Sequence, residues 1–292
     1  MNNNKRSIWK DKAFEVFAIS CTLGTLLVLA LLLFIIAYKG ITHINWTFLS
    51  SLPSRHVEKT GIYTAIAGMV SVLFVTILIS FPIGIGAGIY LEEFVNKKNK
   101  TAKILEINII NLAGVPSIIY GIVGLELFVR LSGWGNSILA GAFTLSLLIL
   151  PIVIVATREA IKSVSNSLRE ASLAMGATPW QTIKNIIIPS AYGGILTGMI
   201  LSISRTIGET APLIVVGALV YVPFLPEGLM DQYTVLPIQI FNWICRPQQS
   251  YISLAAAGII ILLSITFLLN GLAIYLRNRW KKNNYFVRFC YR

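Results

Sequence analysis

The stretch IYTAIAGMVSVLFVTILISFPIGIGAGIYL, residues 62–91, runs for thirty positions without an Asp, Glu, Lys or Arg. A helix that crosses a bilayer needs roughly 20 mostly apolar residues, because the hydrocarbon layer is about 30 Å thick. This run is long enough. Toward its C-terminal end it carries Pro82, Gly84, Gly86 and Gly88, small residues that allow close helix packing or a bend.

Runs of the same character lie on both sides of it. They extend from about Ala13 to Tyr38, Ile104 to Val129, Ser137 to Ala156 and Ile252 to Leu276. Another begins near Gly193 and either reaches about Tyr221 or ends earlier with a re-entrant continuation. The apolar part of the first run exceeds the ~7–15 residues of a signal-peptide core, and no small-x-small cleavage site follows it. It is expected to be retained. The chain therefore reads as an all-α membrane protein of about six spans.

Composition agrees. Of 292 residues, 55% are hydrophobic and 12% charged, with mean hydropathy +0.75. A soluble domain averages roughly 25% charged. The net charge of +12 would suit nucleic acid, but its distribution does not. Eighteen of the 24 Lys and Arg residues fall in the N-terminal tail, the gaps after the second and fourth runs, and the C-terminal tail. Lys39, Arg55, Lys59, Arg130 and Arg246 fall on the other side, and Arg205 lies inside a span. By the positive-inside rule both termini are cytoplasmic. The expected organisation is a cytoplasmic tail (1–12), a first span with an outer loop (13–60), a core of five spans (61–276) containing a cytoplasmic loop (158–192), and a basic tail (277–292).

Several chemistries have no residues to carry them. No GxxxxGK[ST] stretch occurs, so ATP binding through a P-loop is not expected. His43 and His56 sit in the first outer loop, and Asp11 and Asp231 lie outside the spans. A metal site, a catalytic residue and a bound cofactor are not expected. Cys21, Cys245 and Cys290 read as unpaired thiols. The sequon Asn45-Trp46-Thr47 is expected to go unused.

The loop after the fourth run has helical spacing of its own. Ile161, Val164, Leu168, Ala171 and Met175 form one apolar stripe at intervals of three and four. Gly176 fits a helix stop. Thr178 fits an N-cap, Pro179 the first helical position and Gln181 the closing residue of a capping box. The second helix is expected to end at about Ile188, before Pro189. Two readings of this helix-turn-helix stand on physics alone, an amphipathic connector on the membrane and a docking element for a cytoplasmic partner.

Glu170-Ala171-Ser172, three residues, Gly176, nine residues and Ile186-Ile187-Ile188-Pro189 resemble the "EAA" loop of ABC-importer permeases. Ser172 stands where that pattern has Ala, and Ile188 where it has Leu. The resemblance implies that Glu170, Ala171, Gly176, Ala177 and Pro189 belong to a loop that fits a groove on an ATP-binding subunit and transmits its motion to the spans.

Two more segments resemble the permeases of the high-affinity phosphate importer. They are Gly114-Val115-Pro116-Ser117-Ile118-Ile119-Tyr120-Gly121 and Ser204-Arg205-Thr206-Ile207-Gly208-Glu209-Thr210-Ala211-Pro212. Both resemble its A-type subunit more than its C-type partner, and the likeness extends from about Gly61 to Ile274. It implies a permease subunit, not an enzyme, in a bacterial inner membrane. Its implied partners are a second homologous permease, cytoplasmic ATP-binding subunits, an extracytoplasmic phosphate-binding protein and membrane lipid. Phosphate is the implied substrate. Another oxyanion such as sulfate, molybdate or phosphonate, or an ion-coupled carrier, is the alternative.

Arg205 and Glu209 are four apart, on one face of a helix. An arginine at bilayer depth costs about 2.5–3.5 kcal/mol on insertion scales, so it should face a partner or a watery path. The family resemblance implies a transport role for the pair; a packing ion pair is the other reading. Glu126 and Arg130 repeat the spacing nearer water and read as a structural pair. Gly208 is expected to allow close helix approach. Pro212 and Pro116 are expected at bends.

Overall fold

The computed structural model describes residues 2–54, 56–95, 100–218 and 221–283, without side chains for 2–9, 101–102 and 280–283. Arg55, Lys97, Lys98, Arg288, Arg292, Cys290 and most of the basic tail lie outside the described residues, as do the side chains of Lys5, Arg6, Lys281 and Lys282. Among the described residues the secondary structure is helical, with one isolated bridge, Ser137 to Gln232.

The first helix, α1, spans Asn2–Gly40. Helix α2 spans Tyr63–Ile89 and continues as a wider π turn, Tyr90–Phe94. Next come α3 (Lys100–Ala113), α4 (Ser117–Gly124, with a π segment Leu125–Leu131) and α5 (Ile138–Lys162). The loop helices are α6 (Asn166–Ala174) and α7 (Pro179–Thr182). A π segment, Ile183–Ile187, leads into α8 (Ile188–Gly208). Then follow α9 (Ala211–Val216), α10 (Leu236–Ile244) and α11 (Gln249–Asn283). Five helices are long and apolar enough to cross a membrane, and α3 with α4 makes a sixth crossing if the bent pair counts as one.

The third span differs from expectation. It is not one helix from Ile104 to Val129 but two, bent by 100°. Pro116 lacks an N–H and pushes Val115 out of helical geometry, so α3 stops at Ala113 and Pro116 becomes the N-cap of α4. The fifth span takes the shorter of its two expected forms, ending at Gly208 with α9 beyond. Pro189 does not end the second loop helix. The π segment before it replaces the tight i−4 turn with an i−5 turn, which relieves the clash a proline ring makes in an ordinary helix.

Helix α5 is the centre. Gly84 and Gly88 of α2 abut Val153 and Thr157 on one side, where an added Cβ would come within 2.7 Å of either side chain. Gly194 and Gly198 of α8 abut Ala160 and Ala156 on the other, with a Cβ meeting theirs at 2.7 and 2.4 Å. Spaced four apart, these glycines let backbones approach in a setting where close packing replaces the hydrophobic drive. Gly86 faces open space instead. The buried hydroxyls of Thr76, Ser80, Thr144 and Ser146 each bond a carbonyl four residues back, at 2.6–2.8 Å. No water is at hand in hydrocarbon, so such self-satisfaction is required. At the end away from the α6–α7 loop, Phe48, Ile62, Tyr233, Leu236, Ile238 and Trp243 form the largest buried cluster.

Candidate translocation site and EAA-like loop

Arg205 occupies the last turn of α8, where the negative end of the helix dipole favours a cation. Glu209 is not on the helix; it is the residue just past it, in extended conformation. Its side chain folds back, and Oε1 accepts from Arg205 Nε at 3.3 Å. Among the described residues this is the only hydrogen bond of the guanidinium, whose side chain is 47% exposed against 14% for Glu209. The two terminal nitrogens of the fork are thus left for another acceptor. Glu209 borders a small gap lined by Met69, Leu73, Leu145, Leu213 and Val235, so Arg205 is its charge partner at an apolar wall.

The breaks in the two helices lie together. Gly121 of α4 sits on Pro212 of α9, where a Cβ would come within 2.8 Å of the proline Cα. Gly124 sits closer still on the Thr144 side chain of α5. The Tyr120 hydroxyl donates to Leu112 O at 2.8 Å, tying α4 to α3 across their bend, and lies within electrostatic reach of Arg205. Segments 114–121 and 204–212, far apart in sequence, meet at Gly121 and Pro212. Pro212 starts α9 rather than bending α8, because the break precedes it at Glu209 and Thr210. Gly208 makes no close approach: a Cβ there would meet nothing within 4 Å. Glu126 and Arg130 do pair, at 2.5 Å, with both side chains more than half exposed.

The loop keeps its local signals and changes its extent. The expected stripe breaks between Lys162 and Asn166, where Ser165 caps a new helix. Ile161 and Val164 are buried against Ile183, Ile187 and Ala191, with Leu168 packed on them, but Ala171 and Met175 point to solvent. Gly176 adopts φ +86°, with Ala177 N bonded to Ser172 O at 3.2 Å and Gly176 N to Leu173 O at 2.9 Å. This is the Schellman arrangement, which a glycine closes without strain. The capping box is complete: Gln181 N donates to Thr178 Oγ1 at 3.3 Å and Thr178 N to Gln181 Oε1 at 2.9 Å. Ser172, the departure from the EAA pattern, is buried and shares a 2.9 Å hydrogen bond with Thr182, joining α6 to α7. Glu170, Leu173, Met175 and Trp180 stay exposed, and Pro189 stands in the first turn of α8.

One cluster is absent from the sequence reading. Glu92 and Glu93, on the π turn closing α2, are nearly buried and face two different arginines. Arg158 Nη2, at the end of α5, lies 3.5 Å from Glu92 and 2.9 Å from Glu106 of α3. Arg169 Nη1, on α6, lies 2.7 Å from Glu93. Both arginines read from sequence as positive-inside charges. The signal that points further is an adjacent acidic pair at the end of an apolar span.

A family model described as binding-protein-dependent transport system inner membrane component matches residues 84–282. The chain belongs to this family. Among its relatives, the phosphate transport system permease protein PstA of Haemophilus influenzae is 34% identical over 92% of this chain and 95% of its own length. The PstA of Yersinia pestis is 32% identical over 93% and 92%. The probable ABC transporter permease protein YqgI of Bacillus subtilis is 35% identical over 72% and 70%. Two solved structures share the fold. A bacterial alginate ABC transporter chain gives TM-score 0.67 at 15% identity, covering 94% of this chain and 96% of that one. A chain of the methionine transporter MetNI gives 0.59 at 17%, covering 75% and 94%. This protein is thus a multi-pass permease subunit of an ABC importer, not an enzyme.

Proposed function

We propose that this chain carries inorganic phosphate inward across a bacterial inner membrane by alternating access, with both termini in the cytoplasm. The observation that carries the reading is Arg205. It is a guanidinium inside a span, held by one nitrogen to Glu209, beside the junction of two broken helices. A planar fork with two free terminal NH2 groups suits the paired oxygens of phosphate, and Glu209 holds it in place when no anion is present. Similarity to PstA proteins along nearly the whole chain supports phosphate over other oxyanions. A second homologous permease completes the path and an extracytoplasmic binding protein delivers the anion. ATP-binding subunits dock on the exposed face of α6 and α7 around Glu170, Ala171, Gly176 and Ala177.

The test is labelled phosphate uptake into vesicles holding the complete complex. Uptake that needs ATP and is not competed by sulfate or molybdate is expected. Arg205→Ala should insert normally and lose uptake. Full uptake by Arg205→Ala reduces the pair to packing. Competition by another oxyanion moves the substrate, and uptake driven by a proton gradient without ATP overturns the importer reading.

A further inference from the structure

We infer that the ion pair between Arg169 and Glu93 is the tie by which the α6–α7 loop moves α2, making Arg169 a positioning residue of the transport cycle. The inference rests on the importer reading above and deepens it.

Two attachments of the loop to the spans are covalent: α6 follows α5 through Ser163–Ser165, and α7 runs on into α8. A further one is apolar: Leu168 packs on one cluster with Ile161, Val164, Ile183 and Ile187, and Ile85 and Ile89 of α2 pack on the same cluster. The covalent links lead to α5 and α8, and apolar packing is non-directional, so neither fixes the loop to one point on α2.

A polar attachment supplies that fixed point. Arg169 Nη1 contacts both carboxylate oxygens of Glu93, at 2.7 and 2.8 Å, and Nη2 donates to Ile161 O at 3.3 Å. One guanidinium therefore joins α6, the end of α5 and the end of α2. The side chains of Arg169 and Glu93 are 21% and 7% exposed, so the pair is little screened by water and salt. Losing either partner strands a buried charge, and the contact behaves as a fixed joint rather than a loose surface pair.

Local geometry aims the joint. Leu168 and Arg169 turn toward the spans and Ser172 toward α7, while Glu170, Ala171 and Leu173 of the same short helix face solvent. A push on the outer face is thus received one residue away from the arginine. On α2, the π turn Tyr90–Phe94 rotates two successive glutamates toward different elements. Glu92 goes to Arg158 on α5 and Glu93 to Arg169 on α6. π turns of this kind recur at functional positions in helices. Glu92 and Arg158 hold the resting contact of α2 with α5; Glu93 and Arg169 add the moving part.

The experiment uses the complete complex in proteoliposomes loaded with ATP, with the binding protein and labelled phosphate outside, reading uptake and ATP hydrolysis on the same sample. The wild type must first show ATP-driven phosphate uptake; failure there sinks the importer reading and not this joint. Arg169→Met and Glu93→Gln should each assemble, keep hydrolysing ATP, and lose about tenfold in phosphate moved per ATP. Arg169→Lys, which keeps the charge on Glu93, should recover most of that ratio. Uptake and hydrolysis falling in proportion would overturn the inference, since docking alone would then be damaged. An unchanged ratio in both variants would overturn it too. So would failure of both to assemble, which assigns the pair to folding.

Discussion

Gly176 offers a perturbation whose size follows from the backbone. Its φ of +86° lies in the left-handed region, and a Cβ placed there would meet nothing within 4 Å. Replacing it therefore adds no collision inside this chain; the whole cost is conformational. An L-residue in this region costs about 1–2 kcal/mol, less for Asn, whose side chain can bond locally, and more for a β-branched residue. The Ser172–Thr182 bond and the capping box hold the flanks of the turn and oppose this cost, so Gly176→Ala should reduce the turn's population, and the apparent affinity for the ATP-binding subunits, by at most about 5–30-fold. The order of damage should be Asn, then Ala, then Val. Co-purification of the ATP-binding subunits and ATP-driven uptake at matched membrane levels read the effect. An order set by size, with Ala tolerated and Asn worse, would refute the argument. It would show that a partner surface seated on the glycine sets the cost.

Three further outcomes are expected. Gly198→Val forces a side chain into Ala156, where even a Cβ would come to 2.4 Å, and should cost about 1–3 kcal/mol in a detergent melt; Gly193→Val, with nothing within 4 Å, should leave the melt unchanged. Ser172→Ala strands the buried Thr182 hydroxyl and should weaken the loop by about 1–3 kcal/mol, read as faster hydrogen exchange over 166–187. Adding Thr182→Val should recover most of that loss. Glu126→Ala removes an exposed pair and should change stability by less than about 1 kcal/mol and leave uptake intact, measured on the same vesicles.

What the sequence disclosed was what local physics governs. Uncharged runs located the spans, because hydrocarbon sets their length. The Schellman turn at Gly176 and the capping box at Thr178 involve residues three or four apart, and both were legible. Pro116 was legible as a bend, but not as a 100° break that turns one span into two. Pro189 misled, because the rule that proline ends a helix assumes an ordinary i−4 turn and the chain supplies a π turn instead. The pairing of Arg205 with Glu209 was legible from spacing, but Glu209 pairs by folding back from beyond the helix end. The joining of Glu92 and Glu93 to Arg158 and Arg169 was not legible. Those partners are 66 and 76 residues apart, and only the packing of α2 on α5 brings them together.

The bare flanks of α1 bear on how the protein is made. None of the residues in its apolar stretch is buried, and its packing is concentrated where Gly40 meets Ala256, Ala257 and Ile260 of α11. Along that stretch the helix needs no other span of this chain and can settle in the bilayer as soon as it leaves the ribosome. Helix α5 has the same mean hydropathy of 2.7 over its apolar stretch, yet 67% of that stretch is covered by protein. It emerges after α2, which must wait in the membrane with Gly84 and Gly88 exposed to lipid until α5 arrives. The chain is thus anchored from its beginning but assembled from its middle.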